Sequence, residues 1–393
     1  MLLFQSIIVY TGLLFIMYCC ANLYSGSGQK WYWAAIPIIA FSFIFGTRYG
    51  VGRDYFNYVN LYEIDFRDTS FSDIFTTNYE IGFSFITILF LSLGIPTYIW
   101  MTVFSFLQIF LIHKTFKDED NILQYVYLTL ILTGTAIITF TNIIRQEIAL
   151  CFFLYAMKYL TNKNLRMYFI FWLLAFSFHK SAIIILPLGF IWYFKDTLFT
   201  RPKLQLVSII VCFLTIFIPN YFEQILNFAK PVIALLSYDN YEEFAIDAVY
   251  QRGEIGPSLL IGLIVNCIIV GNSNRIKSYF DSKLFNMIYD LYMIGICSLY
   301  LFHGNMMLAR ITQYFHGCAF IIYAYSLMYF KNLPRTSLAH SICTLLLTLS
   351  LLSNYFGLFY KSTQYTSLYV SVFQEDLYYL KDNERDALDL LQQ

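Results

Sequence analysis

Residues 123–160 read LQYVYLTLILTGTAIITFTNIIRQEIALCFFLYAMKYL, and their only charged side chains are Arg145, Glu147 and Lys158. An α-helix needs about 20 apolar residues to cross about 30 Å of hydrocarbon. The stretch therefore holds two membrane spans, joined by a hairpin at TNIIRQE, residues 141–147. Asn142, Arg145, Gln146 and Ala149 stand at i, i+3, i+4 and i+7, which predicts one stripe at the outer end of the second helix. A guanidinium inside a first turn meets a helix dipole that is already positive. An anionic ligand would relieve that clash, so Arg145 and Gln146 are candidate ligand contacts.

The rest of the chain repeats this pattern. Apolar segments fall at 2–23, 31–46, 80–94, 97–113, 123–141, 144–160, 165–178, 181–195, 204–219, 257–271, 284–303, 310–330 and 338–360. Charged residues make up 13% of the chain, against about 25% in a soluble domain. The composition predicts an all-α, polytopic integral membrane protein with about 11–13 transmembrane or re-entrant helices. A β-barrel would show alternating strands of about ten residues instead of solid apolar blocks. The first run begins at Leu2 with no basic region before it and no small-residue cleavage site, so it reads as a retained span.

No repeat or linker divides the chain, which predicts a single membrane domain over 1–393. Two long polar stretches, 47–79 and 220–256, read as extended outer loops, and 361–393 as a polar, acidic tail. The net charge is zero and no long basic run occurs, which excludes nucleic acid as a partner. The cysteines form no C-x-x-C pair, and neither a metal nor a cofactor is expected.

Lysine and arginine in short loops set orientation. They gather at 114–117, 158–166, 195–203, 275–283 and 331–335, which are alternate loops and mark the cytoplasmic side. The turns near 142–146, 178–181 and 304–310, with the 220–256 loop, then face outward. The 47–79 loop joins them only if 80–94 fails to cross fully; its 15 residues reach about 22 Å as a helix.

Four clusters carry chemistry. The first is GTRYGVGRDYFNYVNLYE, residues 46–63, where Arg48 follows a span, Gly50 and Gly52 permit close turns, and Asp54 and Tyr58 share a helical face. Arginine grips phosphate in bidentate fashion, and flat aromatic rings can pack against sugar faces. The second is the 141–150 hairpin. The third is FSFHKSA, residues 176–182, where His179 lies between two short apolar segments at a broken helix below the outer surface. The fourth is RITQYFHG, residues 310–317, where Arg310, Gln313, Tyr314 and Gly317 would share a face opening a span. Glu80 begins its segment and is a further candidate base. Basic groups converging on the outer side suggest a ligand carrying phosphate.

With these pieces in order, the chain resembles the EpsG/Wzy-like family of bacterial polysaccharide polymerases. The resemblance rests on RYGVGRDYFNY at 48–58, IRQEIA at 144–149, FHKSA at 178–182 and RITQYF at 310–315. Arg48, Gly52, Asp54 and Tyr58 match the first motif, Arg145 and Gln146 the second, His179 and Ser181 the third, and Arg310, Tyr314 and Phe315 the fourth. The family often ends in a P-Y-K-S-V-F-like stretch; LYVSVF at 368–373 has no proline there and carries Val370 where lysine is common.

The resemblance implies a multi-pass glycosyltransferase of the bacterial cytoplasmic membrane. It would transfer a growing glycan from undecaprenyl pyrophosphate to a lipid-linked acceptor unit at the outer face, making O-antigen, capsule or exopolysaccharide. Membrane lipid and a chain-length regulator would be its partners. Arg145 and Arg310, with Arg48, would hold the departing pyrophosphate, and Asp54 or His179 would be the base. Two other classes fit intramembrane arginines. A lipid-linked-oligosaccharide flippase or transporter would show two related halves, and a membrane sugar acyltransferase would open to the cytoplasm.

Overall fold

A computed structural model describes residues 2–119, 121–218, 256–303, 306–333, 338–359 and 367–378. Nearly all of the 220–256 loop and residues 379–393 of the tail lie outside them. The chain is an all-α polytopic membrane protein: no strand forms among the described residues, only an isolated antiparallel bridge between Arg48 and Ser371.

The chain divides into two compact units. The first comprises residues 1–158, 169–179 and 351–393. It holds α1 (Leu2–Gly26), α2 (Trp31–Gly46), α3 (Tyr55–Asn60), α4 (Ile81–Ser92), α5 (Thr97–Phe116), α6 (Leu123–Leu132), α7 (Thr135–Asn142), most of α8 (Ile144–Thr161) and most of α9 (Leu165–Phe178). The second comprises residues 159–168 and 180–350. It holds α10 (Leu186–Phe194), α11 (Pro202–Leu214), α12 (Pro257–Gly271), α13 (Ser273–Phe280), α14 (Lys283–Leu301), α15 (Met306–Ile311), α16 (Gln313–His316), α17 (Ala319–Asn332) and most of α18 (Leu338–Gly357).

In the first unit α1 packs on α2 and α6, and α2 on α5. In the second, α14 is the central helix, packed on α11, α16 and α17. Its Asp290 accepts hydrogen bonds from Trp192 Nε1, Thr197 Oγ1 and the backbone amides of Leu198 and Phe199 at 2.7–3.2 Å. Four donors on one carboxylate offset the cost of burying it.

Among the described residues three helices are long and apolar enough to span a membrane alone: α1, α5 and α14. They and their neighbours leave large apolar side chains uncovered, such as Phe4, Phe15, Ile39, Val207 and Ile264. A helix apolar on its outer face as well as its inner one has hydrocarbon as its solvent. α4 has only 12 residues and reaches about 18 Å, well short of a straight crossing of about 30 Å.

Several segments read as straight spans are broken. The first half of the 123–160 stretch bends by 83° between α6 and α7. Gly134 sits at the bend with φ +62°, and an added Cβ there would stand 2.7 Å from the Asn354 carbonyl oxygen. Asn142 ends α7 and does not share the stripe on α8 that its spacing suggested, because Ile143 leaves helical geometry at ψ 54°. The 310–330 segment is likewise three helices, α15 to α17, so Arg310 does not open a span and shares no continuous helix face with Tyr314 and Gly317. Thr312 and Cys318 interrupt it at ψ near zero. Periodicity alone missed these breaks, because each is made by only a few backbone angles.

Residues 367–378, within the stretch read as a polar tail, pack into the first unit. Tyr49 N–H donates to the Val370 carbonyl and Val372 N–H to the Thr47 carbonyl, each at 2.7 Å, and Leu368, Tyr369 and Val370 are buried.

The Gly134 bend gives a direct test. Gly134→Ala forces a Cβ into the left-handed region and against a carbonyl, and should cost about 1–3 kcal/mol. Gly262→Ala, a helical site with open space around it, should be neutral or slightly stabilising. Thermal unfolding of both proteins in detergent checks this, and equal midpoints would remove the role assigned to the bend.

Candidate functional site

Arg48 follows α2 directly, and its side chain is turned inward at 1% exposure. Nε donates to the Val51 carbonyl at 3.2 Å, Nη2 to the Thr141 carbonyl at 3.0 Å, and Nη1 to the Phe45 carbonyl. Phe45 lies in the last turn of α2 and Thr141 in the last turn of α7. Carbonyls there have no partner within their own helix and carry the negative end of the dipole. One cation thus closes two helix ends. Burial pulls the Arg48 pKa down to about 10, partly countered by Tyr55, so the group remains charged at neutral pH.

The loop that follows is shaped by the same carbonyl. Gly52 has φ +94°, and an added Cβ would stand 3.3 Å from the Thr141 oxygen. Only a residue without a side chain suits both the angle and the approach. The chain then enters α3 with Asp54 at its N-terminal boundary. Asp54 N–H donates to Asn142 Oδ1 at 2.7 Å, and Tyr58 N–H donates to the Asp54 carbonyl at 3.0 Å. The half-buried Asp54 is thereby pinned to the end of α7.

Arg145, in the first turn of α8, answers the electrostatic clash read from the sequence with an internal partner. Its Nη1 meets Glu80 Oε2 at 2.5 Å. Glu80 stands at the N-terminal boundary of α4, where a negative charge is favoured by the dipole. Tyr79 and Phe83 rings lie 5.1 and 5.5 Å from the guanidinium carbon, in cation–π contact. The Tyr58 hydroxyl is hydrogen-bonded to the same guanidinium; burial raises its pKa, Arg145 opposes the rise and Asp54 adds to it.

Arg145 and Arg48 differ in access. The Arg145 side chain keeps 26% exposure, and the whole of Arg48 keeps 1%. A guanidinium carries five N–H donors, so an accessible one can accept a further anion beside Glu80. Gln146 and Glu147, next on α8, are buried at 4% and 0%.

His179 follows the last residue of α9, its N–H donating to the Ala175 carbonyl at 3.1 Å. Gly82 of α4 lies directly against Ser177 of α9, and this contact brings the His179 end of α9 to the Glu80 end of α4. Arg48, Gly52, Asp54, Tyr58, Glu80, Arg145, Gln146 and His179 all belong to the first unit. Arg310 and Tyr314 belong to the second: Arg310 is exposed, and the buried Tyr314 hydroxyl accepts from Ser181 Oγ at 3.3 Å.

Sequence reasoning missed what frames the cluster. Tyr79, Phe83 and the fully buried Trp100 are aromatic residues in a chain crowded with them, and no spacing marks them. The Thr141 carbonyl carries no sequence signal at all.

Arg48→Gln removes the charge and at least one of three carbonyl contacts. Unsatisfied buried groups cost about 1–3 kcal/mol each, so the variant should unfold at a clearly lower temperature. Tryptophan fluorescence during heating measures it; a wild-type midpoint would show that Arg48 does not brace these helix ends.

No curated protein and no solved structure matches the chain. The sequence profile of the EpsG family matches residues 31–368. That range takes in all four motif clusters and the helices that position them, and the chain belongs to the EpsG family.

Proposed function

We propose that this protein is a membrane polysaccharide polymerase, a glycosyltransferase that moves a glycan from a lipid pyrophosphate donor to a lipid-linked acceptor unit at the outer face of the bacterial cytoplasmic membrane. Family membership supports the class. The observation that carries the reaction centre is the Arg145 side chain, held by Glu80, Tyr58 and two aromatic rings yet keeping 26% exposure.

In the reaction an acceptor hydroxyl oxygen bonds to the anomeric carbon of the donor sugar, and the bond from that carbon to the pyrophosphate oxygen breaks. The electron pair leaves with the pyrophosphate, and the hydroxyl proton passes to a base. Arg145 neutralises the charge that grows on the leaving oxygen, at a fixed position in a low-dielectric setting. Glu80 positions that guanidinium. Asp54 is the assigned base, because its backbone is pinned beside Tyr58 within the Arg145 cluster; His179 is the alternative. Arg48 builds the site without touching substrate. Arg310 belongs to the second unit and is not counted in this centre. Undecaprenyl pyrophosphate is the donor lipid that fits this chemistry, and a chain-length regulator would act on the product.

Arg145→Ala should abolish long polymer, with single repeat units still appearing on the lipid carrier. Glu80→Gln should slow polymerisation by about 10–100-fold. Asp54→Asn should match Arg145→Ala; if it polymerises normally and His179→Ala does not, the base is His179. Gel analysis of surface glycan at matched protein levels gives the readout. A normal ladder from Arg145→Ala would end the proposal.

A further inference from the structure

A cleft lies near the Arg145 cluster within the first unit. It has a volume of about 520 Å³ and is lined by Tyr49, Tyr55, Phe56, Tyr62, Tyr98 and Tyr378, with Glu63, Thr97 and Val372 among the remaining contributors. Three distant parts of the chain build it: the 49–63 stretch, the start of α5 and the docked 372–378 segment. We infer that this cleft is a glycan subsite that takes sugar rings of the acceptor, an inference that rests on the polymerase reading for where the glycan comes from.

The chemistry of the lining separates the ligand classes. Among the described residues no lysine or arginine lines it, and the charged group there is the Glu63 carboxylate. A phosphate or pyrophosphate would meet repulsion there. A lipid chain would have to displace water from a carboxylate and several phenols, which costs free energy without replacement hydrogen bonds. A sugar ring suits both halves of the surface, since its C–H faces pack on aromatic rings, whose faces are electron-rich, and its hydroxyls can donate to a carboxylate. The volume lies in the range of small-molecule sites, about 300–1,000 Å³.

The walls are held in place before any ligand arrives. Tyr49 and Tyr378 stack at 3.5 Å between centroids and 3° between planes. Tyr378 donates to the Val372 carbonyl at 2.6 Å, Tyr62 to the Ile95 carbonyl at 2.5 Å, and Thr97 Oγ1 to Glu63 Oε1 at 2.6 Å. Glu63 Oε2 is the carboxylate oxygen that this bond does not use. Tyr62 and Glu63 sit in a π-helical turn, Leu61–Asp65, a geometry that often marks functional positions.

The cleft is also coupled by packing to the proposed reaction centre. Tyr62 packs on Trp100 with centroids 4.8 Å apart, and Trp100 lies 6.5 Å from the Tyr58 ring. Tyr58 in turn is hydrogen-bonded to Arg145. The path from the cleft to the guanidinium therefore runs through three packed aromatic side chains, Tyr62, Trp100 and Tyr58.

The test uses the full chain in lipid nanodiscs, titrated with the free oligosaccharide repeat unit released from surface polysaccharide of the producing strain. Saturation-transfer NMR and intrinsic fluorescence report binding. Wild type should bind, and Tyr98→Ala and Val372→Trp should each weaken binding by about tenfold or more. Glu63→Gln should weaken it as well, and decides the matter if Val372→Trp does not fold. Arg145→Ala should bind the free oligosaccharide as wild type does while failing to polymerise. Absence of binding by wild type, or unchanged binding in both Tyr98→Ala and Glu63→Gln, overturns the subsite. So does competition by undecaprenyl phosphate alone, which would make the cleft a lipid site. If Arg145→Ala polymerises normally, the polymerase centre is wrong, and the titration still decides the cleft.

Discussion

One buried cation holds the first unit's site together. Arg48 reaches carbonyls at the ends of two helices and in its own loop, with no carboxylate in ion-pair range among the described residues. Taking a guanidinium out of water costs several kcal/mol, so the arrangement persists only because the helix-end carbonyls would themselves be unsatisfied without it. The two needs cancel. The end of α2, the glycine-rich loop and the end of α7 become one rigid corner.

From that corner the candidate residues are placed in turn. The Thr141 carbonyl fixes how closely Gly52 approaches, Asn142 holds the backbone of Asp54, and α3 carries Tyr58 toward Arg145. The docked 367–378 segment closes the other side through its bridge to Arg48 and Tyr49. Val370, where the resemblance implied a lysine, is fully buried there. A charge at this position would need a partner or a different packing, so the segment's contribution in this chain is to build the wall of the aromatic cleft.

The two arginines of the first unit illustrate how identical side chains divide labour. Arg48 spends its donors on carbonyls and is closed to solvent. Arg145 shares its charge with Glu80 and with two aromatic rings, yet its side chain stays partly exposed. The clash between Arg145 and its own helix dipole, read from the sequence as a demand for an anionic ligand, is already met by Glu80. What supports a ligand is therefore access and the remaining donors, a stronger ground than the dipole argument alone.

Composition and apolar run length determined the fold class, because hydrocarbon admits backbone only when its hydrogen bonds are satisfied within the helix. The order of the motif clusters likewise pointed to the family, and the types of the candidate residues to charge and proton chemistry. Tertiary structure decided where the spans break, since a φ of +62° at Gly134 or a turn at Thr312 leaves hydropathy untouched. It also decided that Glu80 meets Arg145 across 65 residues, and that Tyr49, Tyr98 and Tyr378 line one cleft. Among so many aromatic residues, their meeting depends on backbone geometry and long-range packing, which no local pattern records.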